Sequence, residues 1–193
     1  VTGATGQLGR LVVASLISRG VDPTSIVATG RRQDALNELA ASGIRTAVVD
    51  FADPATLDAV LEAGDTVLLI SGSEVGQRAA QHANVIDAAV RAGVERLVYT
   101  SAPHATTSAL ILAPEHKATE EHLAASGLTS TVLRNGWYTE NYLGQIETAR
   151  QTGTLVAAAG DGRVASASRA DFAAAAAVVL TQTGHEGRVY ELG

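Results

Sequence analysis

The sequence predicts a doubly wound, parallel α/β sheet, and three observations lead there. Short apolar, β-branched runs alternate with Ala-rich helical stretches from end to end, and a glycine closes most of those stretches. The apolar runs are uniformly apolar rather than alternating, as strands covered on both faces are. Helix, glycine and strand in repeated order imply βαβ units.

The elements follow in order. VTGATGQLGRL opens the chain with only Val1 and Thr2 before the first glycine. A strand feeding such a loop needs about four or five apolar residues, so the first strand is expected to be cut short. Strands are then expected at 25–30, 46–50, 66–71, 96–101 and 130–135. Helices are expected at 8–19, 34–41, 54–62, 77–92 and 115–126. Gly20, Gly43, Gly64, Gly93 and Gly127 stand where helix C-terminal caps belong. The last third is less regular. ETARQTGTLVAAAGDG reads as a short strand in a Gly-rich loop region, RADFAAAAAVVL as a helix capped by Ser168 or Asp171, and RVYELG as a final strand. No linker or repeat marks a second complete domain, so residues 1–193 read as one dinucleotide-binding domain.

Composition narrows the function. With 46% hydrophobic residues over 193, the chain can bury a sizeable core. A net charge of −6 without clustered Lys and Arg argues against a nucleic-acid surface. There is no Cys, hence no thiolate site or disulfide, and the five His do not fall at metal-ligand spacing, so no metal is expected. No apolar run is long enough for a bilayer, so no membrane partner is expected and a cytoplasmic location is.

The first glycines carry the chemistry. Gly3 permits a tight turn, Gly6 lets backbone N–H groups approach a pyrophosphate, and Gly9 lets the helix pack closely on the strand. Thr5, Gln7 and Leu8 lie among them at the helix N-terminus, whose partial positive charge suits phosphates. The spacing is G-x-x-G-x-x-G, a variant of the basic dinucleotide fingerprint. At the end of the next strand, where an acidic residue would select NAD, the chain has GRR. Arg31 can pair with a 2′-phosphate, which points to NADPH; Arg32 either assists or faces solvent. Asp50 and Phe51 fall at the height of an adenine, although Asp50 could equally cap the helix after Pro54. Ser71, Gly72 and Ser73, in SGSE, continue the crevice with small residues.

With these residues in view, the chain resembles the atypical short-chain dehydrogenase/reductase superfamily, in the branch of NmrA-like proteins and type 2 NAD(P)H:quinone oxidoreductases. TGATGQLG, LLISGSEVGQRAAQHANVIDAA, YTSAPHA, LRNGWYTENYL, AAGDGRVASASRADFAAAAA and GHEGRVYEL carry the resemblance over essentially the whole chain. It implies a Rossmann-type domain followed by a smaller C-terminal lobe, which this chain would lack. It further implies pyrophosphate on residues 3–9, the 2′-phosphate on Arg31 and the adenosine beside Ser71, Gly72 and Ser73. Asn135, Gly136, Trp137, Tyr138, Thr139 and Glu140 would lie near the nicotinamide. Trp137 and Tyr138 would form an aromatic wall on which a flat quinone stacks, unless they simply pack between sheet and lobe.

The wider superfamily uses a Tyr-x-x-x-Lys pair with a Ser on a strand end. Ser101 occupies the Ser-like place, but with His116 set at the Lys, Leu112 stands where Tyr should be. His104 and His116 are then the candidates for supplying a proton. The reading is an NADPH-dependent quinone reductase, with a homodimer compatible with it. The alternative is an NADP(H)-binding redox sensor without turnover; an epimerase using bound NAD fits poorly, because both the Tyr and the Lys are replaced.

Overall fold

The computed structural model describes residues 1–156 and 160–193. Its strands are β1 (Val27–Gly30), β2 (Arg45–Val48), β3 (Thr66–Leu69), β4 (Arg96–Ser101), β5 (Ser130–Asn135), β6 (Trp137–Tyr138), β7 (Ser166–Ala167) and β8 (Val189–Leu192). Its helices are α1 (Gln7–Ser18), α2 (Gln33–Ala40), α3 (Pro54–Asp58), α4 (Arg78–Ala92), α5 (Ala113–Ala125), α6 (Leu143–Thr152) and α7 (Arg169–Thr181).

All pairings described are parallel. β1 pairs with β2, and β3-β4-β5-β8 forms a four-stranded sheet. Val1 to Ala4 stitch the two together. The Thr29 N–H donates to the Val1 carbonyl (2.9 Å) and the Ala4 N–H to the Thr29 carbonyl (2.8 Å), while on the other side the Thr2 N–H donates to the Leu68 carbonyl (3.0 Å). The opening residues thus act as a short central strand between β1 and β3. The order reverses there, which makes that gap the switch point at which open α/β sheets bind ligands.

The centre of the sheet is covered on both faces, as uniform apolarity predicts. Leu68, Val98 and Leu133 share one core with α1 and α7. Their neighbours Val67, Leu69, Leu97, Tyr99 and Val132 share the other with α3, α4 and α5. The two-residue period of a strand produces this split. β2 and β8 lie at the margins and are largely exposed or half-buried.

Strands β4 and β5 fall on their expected bounds, and Ser168 and Asp171 cap α7 together in a reciprocal box. Helix 54–62 is shorter than expected: α3 stops at Asp58, and the Glu62 N–H turns to the Asp65 carboxylate (3.0 Å). The tail brings a larger correction. Where ETARQTG suggests a loop region, α6 runs to Thr152 and ends at Gly153 with φ +72°. It buries none of its residues, so it leaves no apolar period to read. Residues 154–156 form no strand, and residues 157–159 of the stretch read as carrying a short strand lie outside the described residues.

Ala173, Ala176 and Ala177 of α7 are buried with Val12, Val13 and Leu16 of α1. Small side chains let the two helices approach. Replacing Ala177, which is fully buried, by Leu should overpack this seam and cost about 1–3 kcal/mol. Urea unfolding of the variant would read the loss as a lower midpoint at unchanged slope.

Candidate active site

The site is a cleft of about 1870 Å³ along the C-terminal ends of the parallel strands. Its floor begins at the glycine turn. Gly3 has φ +60°, the left-handed region that glycine enters freely. A Cβ on Gly9 would lie 2.6 Å from Ala4 Cα and closer still to the Gly3 carbonyl oxygen, so only glycine lets α1 sit this near the loop. No side chain caps α1, and the N–H groups of its first turn have no partner within the helix. They face the cleft with Thr5, Gln7 and Leu8 among its lining.

Gly30 is a further close approach, one with no signature in the sequence. A Cβ there would meet Thr5 Oγ1 at 2.6 Å. Beside it, Arg32 donates to the Thr5 carbonyl (3.1 Å) and so steadies the glycine loop. Arg31 reaches the other way, to Glu74 Oε1 at 2.6 Å. Both arginines line the cleft from its solvent-exposed side.

Asp50 and Phe51 line the cleft as well. The helix cap after them is Asp53, whose carboxylate accepts from the Ala55 N–H (3.1 Å). Asp50 instead closes a tight turn on the Ala52 N–H (3.0 Å). The capping alternative for Asp50 therefore falls to its neighbour.

Ser71, Gly72 and Ser73 form the wall beyond β3, fixed by side chains that local sequence does not single out. The Gly72 N–H donates to His82 Nε2 (3.0 Å), so the neutral ring carries its proton on Nδ1, which donates to Thr119 Oγ1 (3.0 Å). Arg78 Nε donates to the Gly72 carbonyl (2.7 Å), and its Nη1 meets Glu115 Oε2 at 2.7 Å. His82 and Arg78 are buried. Burial, then the neighbouring His116 and Arg78, pushes His82 down to about 3.

The proton candidates sit apart. His116 is buried against the cleft and shares a 2.6 Å hydrogen bond with the Tyr99 hydroxyl through Nδ1. Burial, then Arg78, lowers it to about 4, so it is neutral at pH 7. His104 lies on the loop after β4 at φ +48°, an uncommon conformation for a side-chain-bearing residue. Its N–H donates to Glu191 (3.1 Å), while its imidazole is 73% exposed. Ser101 donates its hydroxyl proton to Glu120 Oε1 (2.6 Å), and Glu120 holds Arg134 at 2.6 and 2.9 Å. Leu112, at the place of the absent Tyr, lines the cleft.

Asn135, Gly136, Trp137 and Tyr138 close the far end. A Cβ on Gly136 would meet the Leu192 carbonyl at 2.8 Å, which explains the glycine of NGWY. Trp137 and Tyr138 are consecutive in β6, so their side chains leave on opposite faces and do not make one wall. Tyr138 packs on Phe172 (5.3 Å between ring centroids) beneath the Arg169 guanidinium (4.8 Å); Trp137 is half-exposed. Thr139 and Glu140 are not brought into the cleft lining. The Glu140 carboxylate accepts from the Arg169 N–H at the start of α7 (2.9 Å). Asn135 is 6% exposed, and its Oδ1 is buried without a partner, an exception among buried polar atoms, which are normally paired.

These features fit a dinucleotide. Gly9 leaves no room for a Cβ and Gly3 takes a left-handed turn, the helix start offers free N–H groups, guanidinium groups stand one strand away, and an orphan amide oxygen lies at the other end. Fold and site together define a Rossmann-type NAD(P)-binding protein. A family model described as NAD(P)H-binding matches residues 3–183, and the chain belongs to that family. It is 54% identical over 192 residues to quinone oxidoreductase 2 of Escherichia coli strain K12, covering 100% of this chain and 67% of that protein. The crystal structure of an NADPH-dependent quinone oxidoreductase from Escherichia coli, complexed with NADPH, superposes with a TM-score of 0.94 at 54% identity, over 100% of this chain and 68% of that one. Citrobacter sp. triphenylmethane reductase complexed with NADP(H) gives a TM-score of 0.93 at 36% identity, over 99% of this chain and 68% of its own. The chain spans about two thirds of the length of these relatives. Among the described residues no helix is long and apolar enough to cross a membrane, and no cluster of metal-ligating side chains occurs.

His82 and His116 have a consequence for stability. Both titrate below the ordinary 6.5 when folded. From pH 6.5 downward the unfolded chain therefore takes up protons that the folded chain refuses. Their contribution is complete above pH 6.5 and is lost as pH falls toward 4 and 3, by up to about 1.4 kcal/mol per pH unit for each histidine. In His116→Asn the fall in urea midpoint between about pH 7 and pH 4.5 should be smaller than in the wild type, and an equal fall would contradict the assignment.

Proposed function

We propose that this chain is the nicotinamide-nucleotide-binding part of an NADPH-dependent quinone oxidoreductase. The observation that carries the reading is a cleft with a glycine turn and open helix N–H groups at one end and an open aromatic at the other, between which the Ser101 hydroxyl and the His116 ring are already engaged by other partners.

The chain's own groups divide the work. The turn at Gly3, Gly6 and Gly9, with the first N–H groups of α1, holds the pyrophosphate. Arg31 takes the 2′-phosphate. Phe51, Ser71, Gly72 and Ser73 line the adenosine, and Asn135 to Tyr138 bound the nicotinamide. When bound, the reduced nicotinamide supplies a hydride. Trp137 offers the half-exposed face against which a flat acceptor can lie.

Proton supply decides the acceptor class. Reduction of an ordinary ketone leaves a strongly basic alkoxide and needs an acid in place. Here Leu112 has no proton to give, the Ser101 hydroxyl is engaged by Glu120, and His116 is neutral and bound to Tyr99. A quinone that gains a hydride becomes an aromatic hydroquinone anion, which takes its proton from water. Alignment and proximity then supply the acceleration. The similarity to quinone oxidoreductase 2 supports this class.

The deciding experiment mixes the protein with NADPH and p-benzoquinone, subtracts the uncatalysed reaction and follows nicotinamide absorbance. Saturable oxidation supports the reductase; tight binding without turnover across several quinones would leave a sensor in its place. Arg31→Ala should weaken NADPH about ten- to a hundredfold while sparing NADH, the size of a lost charge-assisted hydrogen bond. Trp137→Ala should lower kcat/KM for the quinone about five- to tenfold with NADPH affinity unchanged, as measured by steady-state kinetics beside a fluorescence titration.

A further inference from the structure

Arg31 is not a free cation waiting for a phosphate. Glu74, on the loop between β3 and α4, stands against it with Oε1 2.6 Å from the guanidinium Nη1. Its second oxygen accepts from Gln81 Nε2 at 2.9 Å, and Gln81 is buried on α4. Hydrogen bonds from Gln81 and then Arg31 hold the Glu74 carboxyl below its usual range, so it is ionised at neutral pH.

The loop that carries Glu74 is fixed at both ends. Gly72 is gripped through its N–H by His82 and through its carbonyl by Arg78, and the Gly76 N–H donates to Glu115 Oε1 at 2.8 Å. A carboxylate on a loose loop would yield to any incoming anion. This one is held by Gln81 from behind and by a braced backbone below, so the anion has to compete with it.

We propose that Glu74 sets the cofactor preference of this cleft by occupying the anion position on Arg31, which a 2′-phosphate must take over and a 2′-hydroxyl need not. The inference rests on the reading of Arg31 as the partner of the 2′-phosphate. Two anions brought to one guanidinium repel each other, and that repulsion offsets part of what Arg31 gives the phosphate. The same carboxylate can accept from a ribose hydroxyl, the role an acidic residue plays in NAD-preferring sites. Here it would come from the loop after β3 instead of the end of β1. Arg31 and Glu74 thus pull the selectivity in opposite directions.

The test uses 2′,5′-ADP and 5′-AMP, which carry no nicotinamide, with dissociation constants measured by calorimetry for the wild type, Glu74→Gln and Arg31→Ala. Gln keeps the shape of the side chain and its contact with Gln81, at a half-buried loop position outside the core; a thermal melt checks that the fold is intact. In Glu74→Gln, 2′,5′-ADP should bind about three- to tenfold tighter, the scale of removing one partly screened like charge, and the gain should shrink at high salt. Binding of 5′-AMP should be unchanged or weaker. If Arg31→Ala selectively loses 2′,5′-ADP while Glu74→Gln gains nothing, the role of Glu74 is overturned and that of Arg31 stands. If Arg31→Ala weakens both nucleotides equally, the assignment of Arg31 falls and the inference falls with it.

Discussion

The backbone contact between the start of α1 and residues 3 and 4 is the constraint on which the rest of the molecule depends. Gly9 lies so close to Gly3 and Ala4 that any Cβ would force them apart. That closeness directs the open N–H groups of α1 over the strand ends. It also keeps residues 1–4 in the gap where they hydrogen-bond to Thr29 on one side and Leu68 on the other. Were α1 pushed away, the two parts of the sheet would lose their seam and the cleft its floor together. Fold and binding site are one packing problem here.

Buried charge shapes the remaining walls. Arg78 with Glu115 and Arg134 with Glu120 are both largely removed from solvent. Such pairs are weak evidence for stability, because desolvation cancels much of their attraction. Their effect is positional. Arg78 ties the start of α4 to the Gly72 carbonyl, while Glu120 aligns Ser101 at the end of β4 with Arg134 on β5. Removing one partner would strand a charge, so each pair specifies where its loop stands more than how tightly the chain folds.

Much of this is legible in the sequence, for identifiable reasons. Uniform apolarity locates β3, β4 and β5, because both of their faces are buried. The glycine turn can be read because it is local: three residues within seven positions create it. What escapes is whatever depends on distant partners. His82 is an ordinary helix residue until Gly72 is brought to its Nε2, and Glu74 is one letter of SGSE until the fold sets it against Arg31. α6 escapes for the opposite reason, since it buries none of its residues and so shows no apolar period. Trp137 and Tyr138 read as one wall because adjacency in sequence suggests proximity, whereas a strand sends adjacent side chains apart.

The chemistry that emerges is sparing in acids. Buried groups beside the cleft that could give up a proton are held by other partners. The Ser101 hydroxyl is turned to Glu120, and the Tyr99 hydroxyl and the His116 ring are turned to each other. Burial strengthens the second arrangement, since it raises Tyr99 above the usual phenol range and lowers His116, so both groups stay neutral across the physiological range. On the proposed reading these engaged groups leave poorly served any acceptor that needs a proton from them. On that reading the cleft suits an acceptor whose reduced form is already a stable anion. The negative charge that arrives with the hydride then, on the same reading, stays on the product, which takes its proton from water.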